Sequence, residues 1–385
     1  MFVVLLVLKN AFRHKLRTTL TMVGIVVAIT AFGLLRTIVE AWYAGAEGSS
    51  SARLVTRNAI SLTFALPLNY AQKLRQVPGV DAVTWANWFG GIYIKEGNFF
   101  PQFAVDGATF FDLYPEFVIK PEEKKAFLVD RKGAIVGRKL ADQYGWKLGD
   151  QIPLRGTIFP GTWTFTLRAI YDGVDAKTDE TQFYFHWDYL NETIKARFPR
   201  RGDQVGIYFL GIHDPGEAAA ISQRVDAVFK NSLAETLTET EKAFQLGFIA
   251  MTEAILLAVQ AVSFVVIVII MAVMANTMAM TARERYGEYA TMKALGFANG
   301  FVAFLIFAES VGIALTGGVL GILITFPLAN LFAGLVGTLF PVFFVSRETV
   351  LMQLAASLVV GVVAALVPAW RVAKVRIVDG LRAVA

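Results

Sequence analysis

Long apolar runs alternate with polar segments along this chain, and the lengths of those runs set its architecture. A hydrocarbon core about 30 Å thick takes about 20 helical residues to cross. Four runs are long enough, at residues 18–39, 248–282, 301–326 and 350–370. The first exceeds the roughly 7–15 apolar residues of a cleavable signal peptide, so it is expected to stay in place as a span. The second contains 29 consecutive residues without a charge, Ala254 to Ala282. As a helix these would rise about 43 Å, more than the hydrocarbon thickness, which predicts a helix continuing outward as a stalk. Short connections fall at 283–300 and 327–349, with an amphipathic N-terminal segment at 1–17 and a tail at 371–385.

Residues 40–247 change period. Tyr70, Leu74 and Val77 are spaced as on a helix that Pro78-Gly79 stops, and "VDAVTW" then alternates as a strand. "GAIVGRKLADQYGWKLGDQIPLRG" repeats the theme: a short strand enters Gly137, a helix follows, and Gly149-Asp150 turns into a strand. "WTFTLRAIYDG" and "VGIYFLGI" read as further strands. "GEAAAISQRVDAVFKN" reads as a helix with Ala219, Val225, Val228 and Phe229 inward, and "ETLTETEKAFQ" as a helix flowing into the second span. The expected fold is an α-helical membrane protein with four transmembrane helices. An extracytoplasmic α/β (α+β) domain of two lobes is inserted between the first and second spans. Its aromatics Trp85, Trp88, Phe89, Phe99, Phe100 and Phe103, and His186, are expected to pack cores and anchor loops; lining a binding groove is the alternative.

Charge orients the spans. The N-terminal segment carries Lys9, Arg13, Lys15 and Arg17, the 283–300 connection Arg283, Arg285 and Lys293, and the tail Arg371, Lys374, Arg376 and Arg382. The 327–349 connection has only Arg347. All three basic segments fall on one side, the cytoplasm by the positive-inside rule. The inserted domain then lies outside, in the periplasm of a cell with an inner membrane. The net charge of +5 belongs to these membrane flanks, which face anionic lipid, and is no nucleic-acid footprint.

Composition excludes several chemistries. A chain of 385 residues that is 55% hydrophobic is too apolar for a soluble protein of this size. It has no cysteine, hence no disulfide or thiolate site, and His14, His186 and His213 are too scattered for a metal. Neither G-x-x-x-x-G-K-[ST] nor G-x-S-x-G occurs, so no phosphate loop, nucleophile elbow, cofactor site or metal site is expected on this chain.

The 283–300 connection holds the densest candidate chemistry. Arg283, Glu284, Gly287, Glu288 and Thr291 share a polar face at helical spacing, opposite Tyr286, Tyr289 and Ala290, and Gly296 is a natural stop. The pattern predicts a short amphipathic helix at the cytoplasmic surface; a solvated turn would also satisfy the charge rule. Within the membrane, Glu309 lies about nine residues, roughly 13 Å, into the third span. A charge there is expensive and suggests function, and pairing with a neighbouring helix is expected over the alternative of substrate contact. Arg36 and Glu40, four apart near the outer end of the first span, are expected to pair with each other.

"ERYGEYATMKALGF" resembles the cytoplasmic coupling-helix signature of the MacB/FtsX-type (type VII) ABC transporter permeases, with Arg285, Glu288, Lys293, Ala294, Leu295 and Gly296 at matching positions. Gly287 stands where that signature has a second arginine, which lowers local helix propensity by up to about 1 kcal/mol. "LKNAFRHKLRTTLTMVGIVVAI", "AIVGRKLADQYGWKLGDQIPL" and "VPAWRVAKVRIVDGLRAV" are similar to the family's first span, periplasmic core and C-terminal end. The resemblance implies a non-catalytic permease that dimerises with a second copy or a paralogue around a separate cytoplasmic ABC ATPase, which binds the ATP and Mg. It implies that Arg283, Glu284, Arg285, Glu288, Lys293 and Gly296 form the ATPase-coupling region. It also implies mechanotransmission that moves the periplasmic domain. MacB-like members expel drugs, toxins or siderophores with a periplasmic adaptor and an outer-membrane TolC-like channel. Lol-type members extract lipoproteins, and FtsX-like members regulate cell-wall hydrolases, usually with a smaller outer loop than the one here.

Overall fold

The computed structural model describes residues 15–175, 177–336, 340 and 342–375. Lys9, Arg13, Arg376 and Arg382, which the orientation argument counts, lie outside the described residues, as do most of the 1–17 segment and of the tail. The chain divides into two compact units, one of residues 1–40, 253–335 and 343–385, the other of 41–252 and 336–342.

The first unit is helical. Helix α1 runs Lys15–Gly48, and the unit boundary falls within it. In the inserted domain come α2 (Tyr70–Leu74), α3 (Phe110–Leu113), α4 (Pro121–Val129), α5 (Arg138–Tyr144), α6 (Trp187–Arg197), α7 (Ala218–Val228) and α8 (Glu241–Ala250). The membrane part resumes with α9 (Glu253–Glu284), α10 (Tyr286–Ala294), α11 (Asn299–Val336) and α12 (Arg347–Ala373). Helices α1, α9, α11 and α12 are long and apolar enough to cross a membrane. Their shared interior includes Ile25, Ile29, Met274, Val302, Val360 and Ala364. Hydrocarbon supplies no hydrophobic drive between helices, so small residues and hydrogen bonds must join them. Gly361 provides such a contact: a Cβ there would meet the Val311 Cα and Ala314 Cβ at 2.9 Å. The Ser310 hydroxyl donates to the Gly361 carbonyl (2.7 Å) and that of Thr30 to the Gly321 carbonyl (3.0 Å). Phe264, Val265, Val268 and Ile269 of α9 remain exposed, an apolar face suited to lipid.

The second unit is a mixed sheet with helices. Its strands are β1 (Arg53–Asn58), β2 (Leu66–Pro67), β3 (Val80–Trp88), β4 (Gly91–Ile92), β5 (Gln102–Val105), β6 (Phe117–Val118) and β7 (Gly133–Gly137). They continue with β8 (Gln151–Gly156), β9 (Gly161–Gly173), β10 (Phe183–His186), β11 (Gln204–Val205), β12 (Ile207–Ile212) and β13 (Thr236–Thr240). The hydrogen-bonded order is β13-β1-β12-β3-β5-β10-β7-β9-β8-β4, with β6 on β9 and a separate β11-β2 pair. Two halves meet through β5, which is antiparallel to β3 and parallel to β10. Helices α2 and α7 pack on the first half and α4 and α5 on the second, so the two-lobed α/β reading describes the domain.

Three details differ from the pattern. Thr236 to Thr240 is a strand rather than a helix: its β-branched threonines suit the strand that pairs with β1, and Thr240 then caps α8 by accepting from the Ala243 N–H. The second span is not continuous with the stalk, because α8 ends at Ala250 and α9 begins at Glu253, with the Thr252 hydroxyl bonded back to the Ile249 carbonyl. On α7, Ala218, Ile221, Ser222 and Val225 face inward with Phe229, while Ala219 and Val228 are exposed. Phe89 and Phe100 are core residues, whereas Trp88 and Phe99 are exposed. His186 is buried, its Nε2 hydrogen-bonded to the Phe127 carbonyl, and burial lowers its pKa.

Candidate functional site

The loop between α9 and α11 folds as the short helix α10 because the chain breaks on both sides of it. Arg285 leaves helical geometry at φ −106°, ψ 14°, and Gly296 adopts φ 93°, the left-handed conformation that a stop glycine permits. The Phe297 N–H closes that turn on the Met292 carbonyl at 3.1 Å. Tyr289 and Ala290 are buried beneath α10, while Gly287 and Glu288 are partly exposed and Thr291 exposed.

The charged residues of this loop do not all face solvent. Arg285 is only 4% exposed. Its Nη1 donates to the Glu309 Oε2 at 2.9 Å and its Nε to the Glu288 Oε2 at 3.0 Å, with the guanidinium carbon 5.2 Å over the Tyr289 ring. Glu309 is likewise 4% exposed, on α11. A charge buried in this way needs a partner, and each of these two is the other's. Burial pushes the Tyr289 hydroxyl up to about 12. Lys293 reaches from the end of α10 to the Val372, Ala373 and Val375 carbonyls at 2.9, 3.0 and 3.0 Å, and partial burial lowers its pKa. Glu284 forms a two-pronged pair with Arg17 of α1, both contacts at 2.8 Å. Arg283 is exposed at the end of α9.

At the other end of α1, Arg36 pairs with Glu40 at 3.2 Å. Glu40 also accepts from the Thr349 hydroxyl (2.8 Å) beside Ser346, the N-cap of α12. Sequence reasoning passed over Gln353. Its side-chain nitrogen donates to the Ile29 carbonyl and the Thr325 hydroxyl, both at 2.8 Å, joining three span helices. A glutamine within the apolar run 350–370 was the available signal.

The inserted domain holds a cavity of about 400 Å³ lined by aromatic residues that include Phe103, Phe110, Tyr114, Tyr184 and Phe209. Sequence reasoning missed the ion cluster in its wall. Arg53 pairs with Glu241 (2.7 Å) and Glu116 (3.0 Å), lying 4.1 Å from the centre of the Tyr114 ring. Among the described residues, no group of His, Cys, Asp or Glu could hold a metal ion.

Comparison with known proteins follows the same division. The MacB-like periplasmic core domain matches residues 18–228 and the FtsX-like permease C-terminal region residues 261–377. An uncharacterised ABC transporter permease of Mycobacterium tuberculosis is 25% identical over 266 residues, 64% of this chain and 29% of that relative. One of Bacillus subtilis is 34% identical over 108 residues, 28% of this chain and 25% of that relative. The chain thus spans under a third of the length of these curated relatives. The extracellular domain of the ABC-type transporter YknZ from Gram-positive bacteria aligns over 49% of this chain and 98% of its own, at 12% identity and TM-score 0.36. The periplasmic region of MacB from Actinobacillus actinomycetemcomitans aligns over 52% and 94%, at 9% identity and TM-score 0.38. With one matched region covering more than half its length and the second following it in order, the chain belongs to the MacB/FtsX-type ABC transporter permeases.

Proposed function

We propose that this chain is the permease subunit of an ABC transporter that works as a mechanotransmitter. A separate cytoplasmic ATPase hydrolyses ATP against α10, and the resulting movement passes through the spans to the periplasmic domain, which expels a drug, toxin, siderophore or similar substrate. The observation that carries the reading is the attachment of α10. A short helix that merely turned the chain would not need ties to α11 and α12, and its N-cap Arg285 and its last-turn Lys293 supply those two. The aromatic cavity has the volume and lining of a small-molecule site, which supports a small amphiphilic substrate. Dimerisation with a second copy or paralogue, a periplasmic adaptor and an outer-membrane channel of the TolC kind complete the proposed assembly in the inner membrane.

The test is co-expression of the full chain with candidate ABC ATPases, followed by purification in nanodiscs. One ATPase should co-purify, with ATP turnover requiring both chains and the cysteine reactivity of an outer-domain position changing with ATP. Mg-dependent turnover by the permease alone, or an outer domain that ignores ATP in an active complex, would sink the reading.

A further inference from the structure

We propose that Arg285 and Glu309 are a positioning pair that makes α11 move with α10, so that force enters the membrane through the third span as well as through α9. This rests on the coupling reading of α10 given above.

The argument begins with the backbone. α10 is joined to its neighbours by two weak links: the single non-helical residue Arg285 toward α9, and the turn through Gly296, at φ 93°, toward α11. Neither link continues a helical hydrogen-bond ladder, so neither passes a rotation of α10 stiffly to the next helix. A stiff path must run through side chains.

Arg285 provides it. Its Nη1 holds Glu309 and its Nε holds Glu288, so one planar guanidinium bridges a carboxylate on α11 and another on α10. Glu309 stands ten residues past the start of α11 at Asn299, which places the attachment on the order of 15 Å along that helix. A pull applied there acts on a lever arm rather than on the hinge. The geometry requires arginine, because a lysine ammonium is a compact point charge without the rigid fork that spans two carboxylates. Burial makes the tie hard to exchange for water: Arg285 and Glu309 are almost completely enclosed, and Tyr289 closes the knot with its ring face. The neighbouring Arg17–Glu284 pair is partly exposed, where such pairs contribute little. Lys293 leads instead to the end of α12. Among the described charges of this loop, the Arg285–Glu309 pair is the buried one.

The experiment uses the cysteine-free full chain in nanodiscs. Nitroxide labels are placed on Thr291→Cys, on the exposed face of α10, and on Phe304→Cys, on an exposed position of α11. The unaltered pair should give one narrow distance population. Glu309→Gln and Arg285→Lys should each broaden it, and the exchange Arg285→Glu with Glu309→Arg should recover the narrow population, a rescue that guards against simple misfolding. An unchanged distribution in Glu309→Gln, or broadening that the exchange fails to reverse, overturns the pair. In complex with the ATPase, Glu309→Gln should keep ATP turnover but lose the ATP-dependent change in outer-domain cysteine reactivity. Retention of that change would overturn the transmission role. If the unaltered complex itself shows no ATP response, the coupling reading fails, while the distance measurement still decides the pair.

Discussion

Lys293 Nζ lies 2.9 Å from the Val372 carbonyl oxygen, so a basic residue of the loop signature caps the last turn of the fourth span. The final carbonyls of a helix have no partner within it, and a cation there also meets the negative end of the helix dipole. Lys293→Met keeps the apolar stem and removes the ammonium. Amide exchange at Val372 to Lys374 should accelerate, with a local loss of about 1 kcal/mol. Exchange that matches the unaltered chain would mean that water replaces the cap at no cost.

Gly33 and Gly312 make opposite predictions for the same substitution. A Cβ at Gly33 would strike the Gln353 amide and meet the Thr325 methyl, while nothing lies within 4 Å of a Cβ at Gly312. Gly33→Ala should therefore cost about 1–3 kcal/mol by overpacking and by breaking a buried amide network. Gly312→Ala should be neutral or stabilising by up to about 1 kcal/mol, through helix propensity. Reversible unfolding in mixed micelles would rank the two variants. Equal effects would deny Gln353 its structural part.

The ion cluster of the inserted domain yields a third expectation. Arg53 and Glu241 are buried together and joined at 2.7 Å, and Tyr114 donates to the other Glu241 oxygen at 3.1 Å. Burial, with the Glu241 charge beside it, holds the Tyr114 hydroxyl well above its ordinary pKa, so it stays a donor at neutral pH. Glu241→Leu removes one of the two carboxylates that Arg53 pairs with, and breaking a buried pair from one side costs about 3–5 kcal/mol. Outer-domain tryptophan fluorescence of the full chain should report a lowered melting temperature, and an unchanged one would count against the cluster.

The positions of these residues show how far the sequence could be read. Span number followed from run length alone, because hydrocarbon thickness fixes a minimum that 18–39, 248–282, 301–326 and 350–370 all meet. Helix ends did not follow: "AWYAGAEG" is neither apolar nor broken by proline, and α1 continues through it to Gly48. The 235–240 stretch misled because its Glu and Leu favour a helix, while pairing with β1 rewards the threonines. Glu309 could be predicted to need a partner, but its choice of Arg285 depends on how α10 folds back over α11. Arg285 entered the sequence reading as one of the basic residues of the connection and of the implied coupling region, and nothing in the spacing told that it turns inward, where a membrane acid needs a cation.

Membrane orientation is open to direct test in a chain without cysteine. Glu96→Cys, at an exposed site of the inserted domain, should react with an impermeant maleimide in cells opened only at the outer membrane. Asn299→Cys, exposed at the start of α11, should react only after the inner membrane is breached. The reverse pattern would overturn the positive-inside assignment.

Glu288 separates the inner knot from the outer contact. One carboxylate oxygen holds Arg285 at 3.0 Å, yet the side chain is 38% exposed, so this residue can serve both the buried tie and a partner surface. Glu288→Lys would alter both roles at once, setting a second cation against Arg285 and reversing the outward charge. Glu288→Gln separates them: its carbonyl oxygen can still accept from Arg285, whose charge the buried Glu309 continues to balance, whereas Glu309→Gln leaves the buried guanidinium without its enclosed counter-charge. If the outward charge meets a cation on the ATPase, Glu288→Gln should weaken association about tenfold, within the range of charge pairs at interfaces. The Thr291–Phe304 label distance should remain narrow. Glu288→Lys should lose both association and the narrow distance. Titration of the ATPase onto permease nanodiscs measures the first quantity and the nitroxide pair the second. Unchanged affinity in Glu288→Gln would assign Glu288 to the inner knot alone, and ATPase recognition would then rest on the other exposed positions of the loop, Arg283 and Thr291 among them.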